Sequence, residues 1–251
     1  MRPVMQRWWR GLRDVVFPPI CVHCRGLVEN ENADAAAGGF RHLCRTCVAQ
    51  VALVAPPHCS SCGHPFFGMM EGERQCVKCD GLAPVFRSGR TASLFKGPVR
   101  SLVIELKYHR GLHALEDVAE IFRRSPHVVE AVRGACLVPV PLHARKERER
   151  GYNQARLIAE QLAKVAGAGT VVAPLLRRVV DTETQTAFDR DERRRNLKNA
   201  FALAPGAPLT DGQIHVLVDD VFTTGSTLNS CAGVLRDAGV ENVDVVTLAH
   251  G

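Results

Sequence analysis

The chain has 251 residues, and 46% of them are hydrophobic, which is enough to bury a core and excludes an intrinsically disordered chain. The 32 Lys and Arg residues against 26 Asp and Glu give a net charge of +6, but this charge is unevenly placed. Residues 145–198 carry 13 basic and 8 acidic side chains, whereas residues 199–251 carry one and six. Two Trp and two Tyr are too few for a large aromatic surface that stacks carbohydrate or RNA.

The N-terminal segment 1–17 has the apolar spacing of a short amphipathic helix, which Pro18 and Pro19 stop. We expect this helix to dock its apolar face on the rest of the protein. No stretch reaches the roughly 20 apolar residues of a membrane helix, and no signal peptide is evident. The sequence therefore predicts a cytoplasmic protein without a membrane span. In the cytoplasm, cysteines serve in metal binding, catalysis or burial more than in disulfides.

Eight of the ten cysteines form four C-x2-C pairs: Cys21/Cys24, Cys44/Cys47, Cys59/Cys62 and Cys76/Cys79. Each pair can offer two thiolates to one tetrahedral ion, so four pairs predict two closed, structural zinc sites. The spacing favours pairs that are neighbours in sequence, and an interleaved arrangement stays open. Four histidines lie among these cysteines and are expected to be bystanders: His23, His42, His58 and His64. We assign residues 1–85 to the N-terminal helix and a double zinc ribbon.

Residues 86–251 show the alternating pattern of an α/β domain with a mostly parallel sheet. Apolar runs predict strands near 92–95, 137–141, 214–218 and 243–248. Helical periodicity predicts helices near 99–108, 114–124, 153–165 and 226–238, with Asn153 as an N-cap and Gly167 and Gly239 at C-terminal ends. The isolated Cys136 and Cys231 are expected to be buried small side chains.

The strongest functional signal is the segment 216–228, in which an apolar strand leads to Asp219 and Asp220 and then to Thr223-Thr224-Gly225-Ser226-Thr227 at the start of a helix. The N–H groups and the dipole of a helix start suit a phosphate, and a glycine permits close backbone approach. The two carboxylates would repel that phosphate, so we expect them to face sugar hydroxyls or a divalent cation. Neither a P-loop nor a G-x-G-x-x-G motif is present. An ordinary hydroxyl N-cap would explain Ser226 but not the acidic pair.

This segment resembles the phosphoribosyl pyrophosphate (PRPP) signature of type I phosphoribosyltransferases. Further blocks resemble the ComF/GntX family in order: 137–143, Arg150-Gly151-Tyr152-Asn153-Gln154, Thr184-Gln185-Thr186 and Arg194-Arg195-Asn196 with Ala200-Phe201. The cysteine-rich start resembles the double zinc ribbon of the same family.

The resemblance implies roles for particular residues. Asp219 and Asp220 would be catalytic residues that contact the ribose hydroxyls and, through water, Mg²⁺. Residues Thr223 to Thr227 would hold the 5′-phosphate, and the loop at Val138, Pro139 and Val140 would face the pyrophosphate. The span 181–199 would be a cover, and its arginines with Arg177 and Arg178 would gather around the departing pyrophosphate, where negative charge builds.

Three functions compete on this fold. An enzyme, a phosphoribosyltransferase, would need an acceptor pocket, and the sequence does not name the acceptor. A non-catalytic PRPP sensor would need only the sugar-phosphate site. A DNA-handling protein would need a basic groove, and the basic excess in 145–198 suits either single-stranded DNA or a pyrophosphate. The resemblance also implies a link to natural competence and DNA uptake, with competence or helicase proteins as further partners. The sequence indicates no oligomeric state.

Overall fold

The computed structural model describes residues 19–28, 39–66, 75–79, 82–180, 200–209 and 212–251. The predicted N-terminal helix and the predicted cover at 181–199, with its arginines, lie outside these ranges. Among the described residues, no helix combines the length and the apolar character that crossing a membrane requires.

The core of the fold is a five-stranded sheet in the order β1-β7-β6-β2-β3, and every neighbouring pair is parallel. The prediction of a mostly parallel α/β sheet is therefore confirmed. A separate antiparallel pair joins β4 to β5. The strands are β1 (Gly89–Leu94), β2 (Cys136–Pro139), β3 (Val171–Val172), β4 (Leu176–Arg178), β5 (Phe201–Leu203), β6 (His215–Phe222) and β7 (Val243–His250).

Helices cover both faces of the sheet. Alternate strand residues point to opposite sides, and both sets are apolar, so both faces must be buried. In β6, Val216 and Val218 join one apolar cluster, whereas Leu217 joins the other. The helices are α1 (Arg45–Val48), α2 (Gly97–Tyr108), α3 (Ala114–Arg123), α4 (Pro126–Val132), α5 (Ala144–Arg150), α6 (Gln154–Ala166) and α7 (Ser226–Asp237). The first cluster includes residues of α2, α3, α4 and α6, and the second includes the inner face of α7.

The predicted ends of α6 are confirmed, because the Asn153 side chain accepts a hydrogen bond from the N–H of Ala155 and Gly167 closes the C-terminus with φ of 89°. Two helices were not predicted. The seven residues of α5 include no buried side chain, so α5 has no apolar periodicity to detect. The helix α4 has only seven residues, too few for a periodic signal.

The cysteine-rich segment, the described residues between 19 and 85, is called the zinc-binding segment below. It packs against the α/β sheet and covers its β1 edge. The N–H of Val54 donates to the carbonyl of Ala92 at 3.0 Å, and the N–H of Leu94 donates to the carbonyl of Ala52 at 2.8 Å. Covering an edge in this way removes a template for unwanted strand pairing.

A second tether joins this segment to α3. The carboxylate of Asp117, which is fully buried, accepts hydrogen bonds from the N–H groups of Arg41 at 2.6 Å and His42 at 3.0 Å. Burial raises the pKa of Asp117 to about 7, although both backbone hydrogen bonds oppose that shift. The zinc-binding segment is thus fixed to both the sheet and a helix.

Candidate functional site

The eight paired cysteines form two tetrads, one of Cys21, Cys24, Cys44 and Cys47 and the other of Cys59, Cys62, Cys76 and Cys79. All sulfurs within a tetrad lie within 4.8 Å of one another, and each tetrad combines pairs that are neighbours in sequence. Measured separations are 3.6 Å for Cys24 to Cys44, 3.5 Å for Cys62 to Cys76 and 3.8 Å for Cys59 to Cys79.

These separations fit a tetrahedral zinc ion. With Zn–S bonds of about 2.3 Å, tetrahedral geometry places the sulfurs about 3.8 Å apart. Four thiolates this close together repel one another unless a cation lies between them. Four thiolates at this distance therefore require a divalent cation, and the two tetrads are structural zinc sites.

The four ribbon histidines lie outside the tetrads and instead contact the α/β part of the chain. His23 Nδ1 lies 2.9 Å from the hydroxyl of Ser101 on α2. The other three pack against histidines in edge-to-face or tilted geometry, with ring centroids 4.7 to 5.2 Å apart: His42 with His113, His58 with His127 and His64 with His250. Their role is to join the zinc-binding segment to the sheet and its helices.

The acidic pair lies inside a strand rather than after it. The sequence predicted a strand that ends at Val218, but β6 continues to Phe222, which pairs with His250. Main-chain hydrogen bonds to β7 hold these residues extended whatever the polarity of their side chains. A prediction from the apolar pattern alone therefore ended the strand too early. Asp219 and Asp220 are placed in the last half of the central strand of the sheet.

Asp220 is buried, with 3% of its surface exposed, and points toward α2 and α6. The ammonium of Lys107 lies 2.7 Å from its Oδ1, and the Gln154 side chain donates to its Oδ2 at 3.0 Å. Burial lowers the pKa of Lys107, but the charge and hydrogen bond of Asp220, together with the charge of Asp219, raise it on balance. Both carboxylate oxygens of Asp220 therefore bind protein groups.

Asp219 has a different environment, on the side of β6 that faces α7. Its Oδ1 accepts a hydrogen bond from the N–H of Asp220 at 2.8 Å. Burial, and then repulsion from Asp220, raises the pKa of Asp219 to about 7, while the charges of Lys107 and Arg178 oppose the shift. Asp219 can thus change its charge near neutral pH.

The predicted phosphate loop turns sharply from β6 into α7. Gly225 has φ of 73° at the N-cap, and Ser226 begins the helix. The N-cap residue Gly225 has no side chain that could cap the helix, but the N–H of Ser226 donates to the Thr224 hydroxyl at 3.4 Å. The hydroxyls of Thr224 and Ser226 lie 3.0 Å apart, beside the exposed Thr223 and the half-buried Thr227. The loop gathers N–H groups, hydroxyls and the positive end of a helix dipole, which suits a phosphate.

The zinc-binding segment supports this loop from behind. A Cβ atom on Gly225 would lie 2.6 Å from Phe222 and 2.9 Å from Leu82, so only glycine fits. The Asn229 side chain accepts a hydrogen bond from the N–H of Val85 at 2.8 Å. The N–H of Leu82 donates to the carbonyl of Cys79 at 2.9 Å, so Leu82 connects the second cysteine tetrad to the loop.

The segment Arg150-Gly151-Tyr152-Asn153-Gln154 forms the turn between α5 and α6 and contacts the site at several points. Gly151 ends α5 with φ of 91°. The Tyr152 hydroxyl donates to the carbonyl of Leu106 at 2.7 Å, and the Asn153 amide donates to the carbonyl of Val140 at 2.9 Å. Gln154 holds Asp220, and Arg150 hydrogen bonds to Gln154. This turn thus connects α2, the end of β2 and the acidic strand.

The predicted pyrophosphate loop lies beside β6, since Pro139 pairs with Val218 and the N–H of Val140 donates to the carbonyl of Val218. The side chains of Val138 and Val140 are buried, so a ligand would meet backbone there.

Of the two predicted arginines, Arg178 lies near enough to Asp219 to lower its pKa. Arg177 is exposed and donates to the carbonyl of Leu203 at 3.2 Å. The remaining predicted arginines fall within 181–199, outside the described residues.

Sequence reasoning left out Lys107, and it named Gln154 only within a family block, without a role in the site. A signal for Lys107 was present: it follows Val103 by four residues, so a charged side chain sits on the apolar face of α2. A cation on an apolar stripe requires a buried acidic partner, and Asp220 is that partner.

Comparisons with known proteins agree with this architecture. The double zinc ribbon domain matches residues 12–80, and the phosphoribosyl transferase domain matches residues 154–251. Competence protein F of Haemophilus influenzae is 31% identical over 234 residues, covering 92% of this chain and 96% of that protein.

Two other relatives show the same extent of similarity or slightly less. DNA utilization protein YhgH of Salmonella typhi is 31% identical over 240 residues, covering 94% of this chain and 99% of its own. Competence protein ComFC of Bacillus subtilis is 25% identical over 205 residues, covering 78% and 79%. The chain therefore belongs to the ComF/GntX family, which combines a double zinc ribbon with a phosphoribosyltransferase domain.

Proposed function

We propose that this protein binds PRPP together with Mg²⁺ at the carboxyl edge of β6 and acts as a phosphoribosyltransferase in DNA uptake or utilisation. One observation carries the proposal: an acidic pair in the central strand is followed by a turn that leads into a helix start with a glycine N-cap and a lining of hydroxyls. Open α/β sheets bind their ligands at this edge. The names of the relatives, competence protein and DNA utilization protein, supply the cellular context.

Each part of the site suits one part of PRPP. The N–H groups and hydroxyls from Thr223 to Thr227 suit the 5′-phosphate. Asp219 suits the ribose hydroxyls, which donate hydrogen bonds to a carboxylate. The backbone after β2 lies beside the acidic strand and suits the pyrophosphate. When bound, Mg²⁺ would supply positive charge near Asp219 and Asp220 that offsets the charge of the pyrophosphate.

The chain must stabilise the charge that develops on the departing pyrophosphate. Cationic side chains at the site do so without reorganising at the moment of reaction. Arg178 and Lys107 are the cations that the described residues place near the acidic pair. The cysteine tetrads need reduced thiols, which supports a cytoplasmic location.

Calorimetry with Mg²⁺ and PRPP tests the binding site. The wild-type protein should bind, and Asp219→Asn should weaken binding about tenfold or more, because a hydrogen bond to a charged group is worth about 1.5 to 3 kcal/mol. Asp244→Asn is the control. Asp244 lies near the start of β7, at the amino ends of the parallel strands, away from the proposed site, and it pairs with the half-exposed Arg87. A wild-type protein that does not bind PRPP, or equal binding by Asp219→Asn, would refute the site.

Transformation assays test the cellular role. In a naturally competent host that lacks this protein, the wild type and Asp244→Asn should restore DNA uptake, and Asp219→Asn should not. Restoration by Asp219→Asn would separate the role in DNA uptake from the proposed site.

A further inference from the structure

Asp220 has both carboxylate oxygens engaged by the protein itself. Its Oδ1 faces the ammonium of Lys107 at 2.7 Å, and its Oδ2 accepts from Gln154 at 3.0 Å. Only 5% of its side chain is exposed. Because so little of this side chain is exposed, Asp220 offers a ligand only a small contact surface.

Lys107 is better placed to meet a ligand. Its side chain is 25% exposed, five times as much as that of Asp220. An ammonium has three N–H donors, and Asp220 is the only hydrogen-bond or ion-pair partner of Lys107 within the described residues. Two donors are therefore left for another acceptor at the edge of the sheet.

The surroundings of Lys107 point to the pyrophosphate rather than the 5′-phosphate. Gln154 holds Asp220, and its neighbour Asn153 holds the carbonyl of Val140 in the loop that follows β2. Lys107 and this loop are thus fixed to the same turn at the start of α6. The hydroxyl loop from Thr223 to Thr227 leads into α7, which packs on the other face of the sheet.

We propose that Lys107 is a ligand-binding residue of this site, fixed by Asp220 and Gln154 so that its ammonium donates to the pyrophosphate group of PRPP. This inference rests on the proposed function and assigns Asp220 a positioning role. The cation has the charge that a pyrophosphate needs, and its position is set before the ligand arrives.

Calorimetry with three probes tests the assignment: PRPP, inorganic pyrophosphate and ribose 5-phosphate, each with Mg²⁺. Lys107→Met should weaken binding of PRPP and pyrophosphate about tenfold to a hundredfold, because a charge-assisted hydrogen bond is lost. Binding of ribose 5-phosphate should stay unchanged, and Lys107→Arg should retain most of the affinity. Lys164→Met, on the exposed face of α6, controls for the loss of one positive charge.

A double variant separates ligand binding from a merely structural ion pair. Lys107→Met alone leaves a buried carboxylate without its cation, which is destabilising. Lys107→Met with Asp220→Asn removes that charge as well, and its thermal unfolding should return toward that of the wild type while pyrophosphate binding stays weak.

The outcomes distinguish this inference from the function on which it rests. Recovery of pyrophosphate affinity in the double variant, or equal loss of ribose 5-phosphate and pyrophosphate affinity in Lys107→Met, would show that Lys107 serves only as a counter-ion. Unchanged pyrophosphate affinity in Lys107→Met would overturn the inference and leave the PRPP site intact. A wild-type protein that binds none of the three probes would overturn the proposed function itself.

Discussion

Asp219 and Asp220 are adjacent in sequence, yet the strand gives them opposite environments. Side chains alternate across a strand, so one carboxylate faces α7 and the other faces α2 and α6. Asp220 has a cation at 2.7 Å, whereas the cations near Asp219 only oppose a pKa that burial raises to about 7. The two acids are therefore expected to differ in role.

The raised pKa of Asp219 predicts a pH-dependent effect on stability. Unfolding returns its pKa from about 7 to the usual 3.8, so between these values the folded state holds a proton that the unfolded state releases. The wild type therefore loses this contribution to stability as pH rises through about 7. Asp219→Asn has no such proton and keeps an acceptor for the Asp220 N–H. Relative to the wild type, it should become more stable as pH rises.

Urea unfolding at about pH 5 and about pH 8, in buffer without Mg²⁺ or PRPP, measures this difference. Taking the difference between variant and wild type at each pH removes the parallel contribution of Asp117, which titrates in both proteins. Asp244→Asn should show no pH-dependent difference. The same difference for Asp219→Asn at both pH values would contradict the prediction.

At the scale of elements, the loop before α7 is shaped from two directions. Towards the edge of the sheet it presents hydroxyls, and behind it Leu82 and Phe222 leave no room for a side chain at Gly225. The positive φ of 73° also excludes most residues other than glycine. The sequence indicated a glycine for close approach of a phosphate, but the structure adds a second reason, the contact with the zinc-binding segment.

Gly225→Ala should therefore weaken both the fold and the site. We expect a loss of about 1 to 3 kcal/mol in the free energy of unfolding, from backbone strain, together with weaker PRPP binding because the loop must shift. Gly233→Ala is a matched control in the same helix, since a Cβ there meets nothing within 4 Å. It should raise stability by up to about 1 kcal/mol and leave PRPP binding unchanged. Urea unfolding and calorimetry compare the two, and equal effects would argue against a shape constraint at Gly225.

At the scale of the whole molecule, the zinc-binding segment shares the apolar interior of the α/β sheet. Cys21 and Cys47 belong to the first apolar cluster, and Cys59, Cys62 and Cys79 belong to the second. Asp117 and the segment 52–54 add hydrogen bonds across the same boundary. Zinc therefore stabilises a surface on which the sheet and its helices depend.

Metal analysis tests this dependence. The wild type should contain two zinc ions per chain, and Cys24→Ala should contain one, because it removes a ligand from the first tetrad only. Cys136→Ala, which changes a buried cysteine of β2 outside both tetrads, should keep two. Removing zinc with a strong chelator should lower the unfolding midpoint of the entire protein, because zinc binding is coupled to folding. Circular dichroism of the helices measures this midpoint. A full zinc content in Cys24→Ala would contradict the assignment of the first tetrad.

The sequence by itself determined the features that depend on local pattern. The spacing of the cysteine pairs predicted the double zinc ribbon, and apolar periodicity predicted the parallel sheet with α2, α3, α6 and α7. The acidic pair and the hydroxyl-rich turn stood together within a few residues, so a candidate phosphate site was readable. Short or fully exposed elements such as α4, α5 and the β4-β5 pair were not predicted, because too few buried side chains repeat along them.

Only the tertiary structure decided which distant groups meet. Gln154 and Asp220 are 66 positions apart, and no sequence pattern links them or Lys107 to the acidic strand. Their contacts arise because α2 and α6 pack on the same face of the sheet, where the last turn of α2 and the first turn of α6 both reach Asp220. The same packing places Leu82, next to a zinc site, behind Gly225. Local spacing fixes what a segment can form, whereas burial of the whole apolar surface fixes which segments share a site.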